Sequence, residues 1–234
     1  MNWNWSVIIE SLPRLFEGAL LSLELVAISV LVGGILSIPL ALMRLSSNAY
    51  VSTPTLAFTF FFRGTPLLVQ LFLFYYGLAQ FDAVRESFLW PYLKEAYWCA
   101  LIVFTLNTCA YTTEIMRGAI QAVPSGEIEA AEAIGMSKIT LLRRITLPLA
   151  YRIALPAYSN EIILMLKGSA LASTITLLDL TGMARTIIAR TYMPVEIFFA
   201  AGCIYLLLTF LFIQVYRLIE QRMLRHLRQE SAAG

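Results

Sequence analysis

The sequence predicts an all-α membrane protein with five transmembrane helices. Two observations carry this. Five apolar runs are each long enough to cross a bilayer, and one charged interval between the third and fourth is written in helix-forming residues. Composition agrees: 59% of the 234 residues are apolar and 14% are charged, where a soluble domain carries roughly 25% charge. The net charge of +2 is too small to argue for a nucleic-acid partner, so the placement of the charges is what informs.

A helix needs about 20 mostly apolar residues to span the hydrocarbon core. The first run, Phe16 to Met43, is long enough to tilt or protrude, and it carries a small-residue face at Gly33 and Ser37 that suits helix packing. The second, Thr55 to Gln80, is interrupted by Arg63-Gly64-Thr65-Pro66. That break reads either as a kink with Arg63 at the interface or as a discontinuous helix beside a translocation path. The third runs from Tyr97 to Met116, the fourth from Leu149 to Ala172 and the fifth from Val195 to Tyr216. Leu171 to Leu180 is apolar but too short to span, as an interfacial or re-entrant piece would be. With no low-complexity linker or internal repeat, residues 1–234 read as a single transmembrane domain.

Five spans put the two ends on opposite sides. Segments sharing a side with the C-terminus hold more Arg and Lys than those opposite, the run Arg217 to Arg228 supplying much of the excess. The positive-inside rule therefore places the N-terminus in the periplasm and the C-terminus in the cytoplasm. The basic tail can lie along anionic headgroups or serve as a stop-transfer cluster. No basic n-region precedes the first span, which reads as retained. His226, the single histidine, lies in the charged tail, and Cys99, Cys109 and Cys203 lie in apolar runs without metal-ligand spacing, as small buried hydrophobes.

The interval Arg117 to Thr146 is cytoplasmic in this topology, and it has the grammar of a helical hairpin. Pro124-Ser125-Gly126 forms a turn; Glu127, Glu129 and Glu132 then alternate with alanines, good helix formers with acids near the N-terminus. Gly135 can end that helix in the left-handed region, and Ser137 can cap a second one through Ile139, Leu142 and Ile145. Pro148 should break or kink the chain as it re-enters the membrane. A rigid hairpin fused to two spans suits force transfer from a cytoplasmic partner; a solvated loop is the plainer alternative.

Glu129-Ala130-Ala131, three residues, Gly135, nine residues, Ile145, one residue and Leu147-Pro148 resembles the EAA motif of ABC-importer permeases. The runs Phe62 to Gln70, Leu106 to Ile115 and Ala157 to Glu161 are similar to the polar amino-acid branch of that family, the histidine/lysine/arginine/ornithine permeases. Tyr75 to Phe81 and Val84 to Pro91 resemble arginine/ornithine permeases in particular. The resemblance implies a type I ABC importer permease fold in the inner membrane. Glu129, Ala130, Ala131, Gly135, Ile145, Leu147 and Pro148 would then belong to a coupling loop at about 117–148 that docks on an ATP-binding subunit. It also implies two ATP-binding subunits, a second homologous permease (unlike or identical), a periplasmic amino-acid-binding protein and an amino-acid substrate. The chain has no Gly-Lys pair and hence no Walker A loop. It is expected to be non-catalytic and free of cofactors, with ATP and magnesium on the partner.

Charges within spans are costly and mark candidate sites. Glu161 lies midway along the fourth run beside Ser159 and Asn160, and Asn107, Tyr111 and Glu114 are spaced to share one face of the third. Such carboxylates suit a guanidinium or ammonium substrate; the alternative is helix bridging, or pairing with Arg63 or Lys167. An intramembrane enzyme is disfavoured, because histidine is confined to the tail and Asp82 and Asp179 lie outside the runs. A scaffold without a transport path would explain neither the hairpin motif nor Glu161, and a secondary transporter would show repeats and more spans.

Overall fold

The computed structural model describes residues 3–223, which contain helices and turns and no strand. Arg225, His226 and Arg228 of the basic tail lie outside the described residues. Helix α1 spans Trp5–Arg44, α2 Ala49–Gly64 and α3 Leu67–Phe72, the last continuing as a π-helical turn and a 3₁₀ turn to Gln80. Short helices α4 (Asp82–Arg85) and α5 (Trp90–Leu93) precede α6 (Ala96–Gln121). The hairpin is α7 (Ser125–Ala133) and α8 (Lys138–Leu141), and α8 passes through a π-helical turn, Leu142–Thr146, into α9 (Leu147–Gly168). A 3₁₀ stretch, Ser169–Ile175, leads to α10 (Leu180–Thr191) and then α11 (Pro194–Met223).

Three helices, α1, α6 and α11, are each long and apolar enough to cross a membrane, and counting each of two bent helix pairs as one span brings the number up to five. The bends sit where the sequence frees the backbone. At Thr65 and Pro66 the chain is extended, and the α2 and α3 axes meet at 105°. That is a discontinuous helix rather than a kink, because Pro66 drives Thr65 out of the helical region and gives up its own N–H. The second pair bends by 47° between Ile175 and Leu180, where Asp179 caps α10 by accepting from Thr181 and Gly182. The apolar piece after the fourth run is this junction.

Helix α1 begins eleven residues before the apolar run (Trp5 against Phe16), capped by Asn4. At 1.5 Å per residue its 40 residues span about 60 Å, well beyond a hydrocarbon core of about 30 Å. Its buried stripe is rich in small side chains (Gly18, Ala19, Ser22, Ser29, Gly33, Ser37, Ala41), so it packs closely on α6. A Cβ on Gly33 would stand 2.9 Å from the Thr105 carbonyl oxygen and 3.0 Å from the Cys109 nitrogen, so only glycine permits this backbone approach.

The central core joins α1, α3, α6 and α9 through Leu25, Leu71, Phe104, Ile162 and Met165. One end is closed by Ile8, Leu15, Leu180, Ile187 and Ile197 of α1, α10 and α11. The opposite end is closed by Ala41, Met116, Ala119, Ala150 and Ala154, with Ile128 of α7 packed against them. That base seats the hairpin on the bundle. Cys99 and Cys109 are buried, but Cys203 is exposed, contrary to expectation, because α11 packs along one side only.

Pro148 does not break the chain. It lies in the first turn of α9, directly after the π-helical turn. The wider turn gives the Arg144 carbonyl room that a proline ring four residues on would otherwise deny it. The second arm of the hairpin is therefore continuous with the fourth span.

Candidate functional site

Two places gather the residues singled out in the sequence. The first is the hairpin. Helix α7 starts at Ser125, earlier than the predicted turn allowed, after the extended Pro124. It ends at Gly135, which has φ +80. The Gly135 amide donates to the Glu132 carbonyl at 2.9 Å and the Met136 amide to the Ala131 carbonyl at 3.1 Å. This is a Schellman closure, and the left-handed residue in it costs any side chain roughly 1–2 kcal/mol. Ser137 Oγ accepts from the Thr140 amide at 3.3 Å and caps α8.

Within this frame Ala131 is 2% exposed and seats α7, while Glu129 and Ala130 face outward. Ile145 and Leu147 are half-buried along the arm that enters the membrane, and Pro148 is exposed. Ile134 and Ile139, on either side of Gly135, are 75% and 71% exposed. Large apolar side chains held out by a rigid turn are what a grooved protein partner recognises.

The second place is the break in the second span. Ending α2 and restarting at α3 leaves carbonyls without helical partners, and Gln70 answers them. Its side-chain amide donates one N–H to the Phe62 carbonyl at 2.8 Å and shares the other between the Thr65 carbonyl at 3.0 Å and Thr65 Oγ1 at 2.8 Å. Asn107 Nδ2 donates to Gln70 Oε1 at 3.0 Å and to the same Phe62 carbonyl at 3.2 Å. The Tyr111 hydroxyl reaches the Arg63 carbonyl at 3.4 Å, and the Arg63 guanidinium lies 5.4 Å from the Tyr111 ring centre. Sequence reasoning did not single out Gln70 as a site residue. Its signal is a lone amide four residues after Pro66 in an apolar stretch.

Beside this network is a cavity of ≈ 180 Å³ lined by Leu67, Asn107, Tyr111, Glu161, Leu164 and Met165. Glu161 comes from α9 and is 6% exposed. The ion pairs among the described residues are Arg44–Glu114, Arg117–Glu114 and Arg85–Asp82, so Glu161 has no pairing with Arg63 or Lys167. A buried carboxylate without an ion pair is costly, and Glu161 lines the cavity.

The structure therefore joins Glu161 with Asn107 and Tyr111, and separates the remaining candidates from them. Glu114 lies outside the cavity lining: Arg117 Nε is 2.7 Å from Oε2, Arg44 Nε is 3.3 Å from Oε1, and Thr59 Oγ1 donates to Oε1 at 3.2 Å. Ser159 Oγ donates to the Pro156 carbonyl of its own helix at 2.8 Å, and Asn160 is exposed outside the lining.

Residues 30–225 match the family described as binding-protein-dependent transport system inner membrane components. An octopine transport system permease protein from Rhizobium meliloti is 51% identical over 211 residues, 90% of this chain and 86% of that protein. A histidine/lysine/arginine/ornithine transport system permease protein from Escherichia coli strain K12 is 48% identical over 217 residues, 92% and 91% of the two chains. Among solved structures, a chain from an amino acid ABC transporter crystallised with histidines superposes with a TM-score of 0.85 at 34% identity, over 95% of this chain and 100% of that one.

Proposed function

The chain belongs to the family of binding-protein-dependent transport system inner membrane components, and from that premise we propose that it moves a cationic polar amino acid, or an opine derived from one, past Glu161. It is an inner-membrane permease subunit of an ABC importer with the type I permease fold, working with ATP-binding and substrate-binding proteins, and it is not itself an enzyme. The observation that carries the cargo reading is the unpaired Glu161 carboxylate beside Asn107 and Tyr111 in an internal cavity. A guanidinium or ammonium group would supply the missing cation, with the neighbouring amide and phenol completing its hydrogen bonds. The names of the octopine and histidine/lysine/arginine/ornithine relatives point the same way. Ser159 and Asn160 precede the carboxylate on α9 outside the cavity lining, and Glu114 acts as a brace one helix away.

The hairpin is the proposed docking element for the ATP-binding partner. The outward-facing residues between Glu129 and Gly135 form the contact, Ala131 seats the helix behind them, and Ile145, Leu147 and Pro148 carry its movement into the fourth span. The proposed assembly contains two ATP-binding subunits, which hold ATP and magnesium, and a second homologous permease, unlike this one or a copy of it. The chain acts as one domain, with its N-terminus in the periplasm and its C-terminus in the cytoplasm. The test is reconstitution of the whole importer in proteoliposomes. Glu161→Gln should lower uptake of arginine, while Glu129→Ala and Gly135→Pro should uncouple ATP hydrolysis from substrate. Unchanged arginine uptake in Glu161→Gln rejects the cargo role; unchanged substrate-stimulated hydrolysis in both hairpin variants rejects the docking role.

A further inference from the structure

The end of the bundle remote from the hairpin holds a second polar cavity. Ala41, near the end of α1, packs at the hairpin base, whereas Ile8 and Leu15 near its start pack against Leu180 and Ile187 of α10. Between the start of α1 and the end of α10 lies a cavity of ≈ 260 Å³ whose polar lining is Glu10, Ser11, Arg14, Arg190 and Thr191.

The first turns of α1 divide into three stripes. Ile8, Ser11, Leu15 and Gly18 are buried, and Trp5, Ile9, Phe16 and Leu20 are exposed and apolar. Glu10, Arg14 and Glu17 form the third stripe, turned roughly 120° from each of the others by helix geometry. A face sunk in lipid or packed on protein would carry apolar residues, so this stripe faces water and the cavity it lines. The charges are not spent on one another. Glu10 lines the same cavity as Arg14 and Arg190, yet it forms no ion pair within 4.0 Å among the described residues.

We propose that this cavity binds a zwitterionic head: a phosphate or carboxylate held between Arg14 and Arg190, with its neighbouring primary ammonium on Glu10. Paired guanidiniums favour planar or tetrahedral oxyanions, and a carboxylate set beside them selects a ligand that carries its own cation. Two sources supply this chemistry, the headgroup of an aminophospholipid in the adjoining leaflet and a free amino acid. The surroundings favour the lipid. Trp3 packs edge-on to Phe199 at 5.2 Å and against Trp5 at 5.7 Å, and Trp5, Ile9 and Phe199 are exposed, a cluster of the kind that forms an aromatic belt at a membrane interface. The site stands apart from the Glu161 cleft and does not depend on its role.

The experiment uses the assembled importer. Native mass spectrometry from nanodiscs made of equal phosphatidylethanolamine and phosphatidylcholine reads the retained lipid. Equilibrium binding of free arginine to the importer carrying Glu161→Gln, in detergent, reads the second source. The wild-type importer should retain phosphatidylethanolamine preferentially, and Arg14→Gln with Arg190→Gln should weaken that retention about tenfold. Glu10→Gln should keep a bound phospholipid but lose the preference for a primary ammonium. A drop in arginine binding in the double variant, with lipid retention unchanged, assigns the site to the water-phase zwitterion. No change in either readout overturns the proposal. A loss confined to affinity for the substrate-binding protein also overturns it and makes the cavity a protein-docking surface.

Discussion

Glu114 and Glu161 both sit on membrane-spanning helices beside the break between α2 and α3, and their surroundings differ in kind. Glu114 is held by the guanidiniums of Arg44 and Arg117 and by the Thr59 hydroxyl, which ties the end of α1 to α2 and α6. Glu161 makes no ion pair among the described residues, Arg63 acting on it only from a distance, and it opens onto the cavity with Asn107 and Tyr111. A carboxylate already matched by two cations is a brace. One left unmatched in a low-dielectric site awaits a charge from elsewhere.

The largest expected effect tests the brace. Glu114→Ala leaves two guanidiniums facing each other at the base of the bundle and should cost about 3 kcal/mol of stability. A thermal unfolding midpoint of the purified importer reads this directly. Glu161→Gln in the same assay should be neutral or slightly stabilising, because it removes an unpaired buried charge. Equal destabilisation by the two variants would break the distinction between them.

The next effect is on transport. Glu161→Gln removes a charge-assisted contact worth about 1.5–3 kcal/mol, so half-saturation for arginine should rise roughly ten- to a hundredfold. Uptake of a neutral polar amino acid should not fall in parallel. A proportional loss for both substrates would mean that Glu161 shapes the path without reading charge.

Far from both carboxylates, Gly135→Ala asks whether the hairpin acts independently of the cleft. Forcing a Cβ into the left-handed closure costs roughly 1–2 kcal/mol and loosens the turn that presents Ile134 and Ile139. Substrate-stimulated ATP hydrolysis should drop severalfold while the order of preferred substrates stays the same. A changed order would mean that the hairpin and the cleft are not separable.

The hairpin was the most legible part of the chain, because its signals are local. Glutamate and alanine propensity, a glycine at the turn and a serine cap each act within a few residues, and each is found where it was expected. The first, third and fifth spans were legible because length and apolarity suffice for a single long helix, whereas the second and fourth are bent pairs. Two things escaped. The 105° break at Thr65 and Pro66 depends on whether Gln70 and Asn107 can satisfy the freed carbonyls, and Asn107 lies on another helix. The spacing of Asn107, Tyr111 and Glu114 gave one face, but a face has length. Seven residues are about 10 Å of helix, enough to carry Glu114 out of the cavity to the level of Arg44.

The smallest effect is the most discriminating for the cavity. Tyr111 lines it, and its hydroxyl makes only a long 3.4 Å bond to the Arg63 carbonyl, while its ring lies 5.4 Å from the Arg63 guanidinium. Tyr111→Phe keeps the ring and that cation contact and removes the hydroxyl alone. Stability should change by less than about 0.5 kcal/mol, because a bond this long contributes little. If the hydroxyl hydrogen-bonds cargo beside Glu161, arginine affinity should still fall two- to fivefold, about 0.5–1 kcal/mol. A fall in uptake without a fall in unfolding temperature places Tyr111 on the same side of the comparison as Glu161. An unchanged uptake returns it to the scaffold that, with Gln70 and Asn107, holds the broken helix.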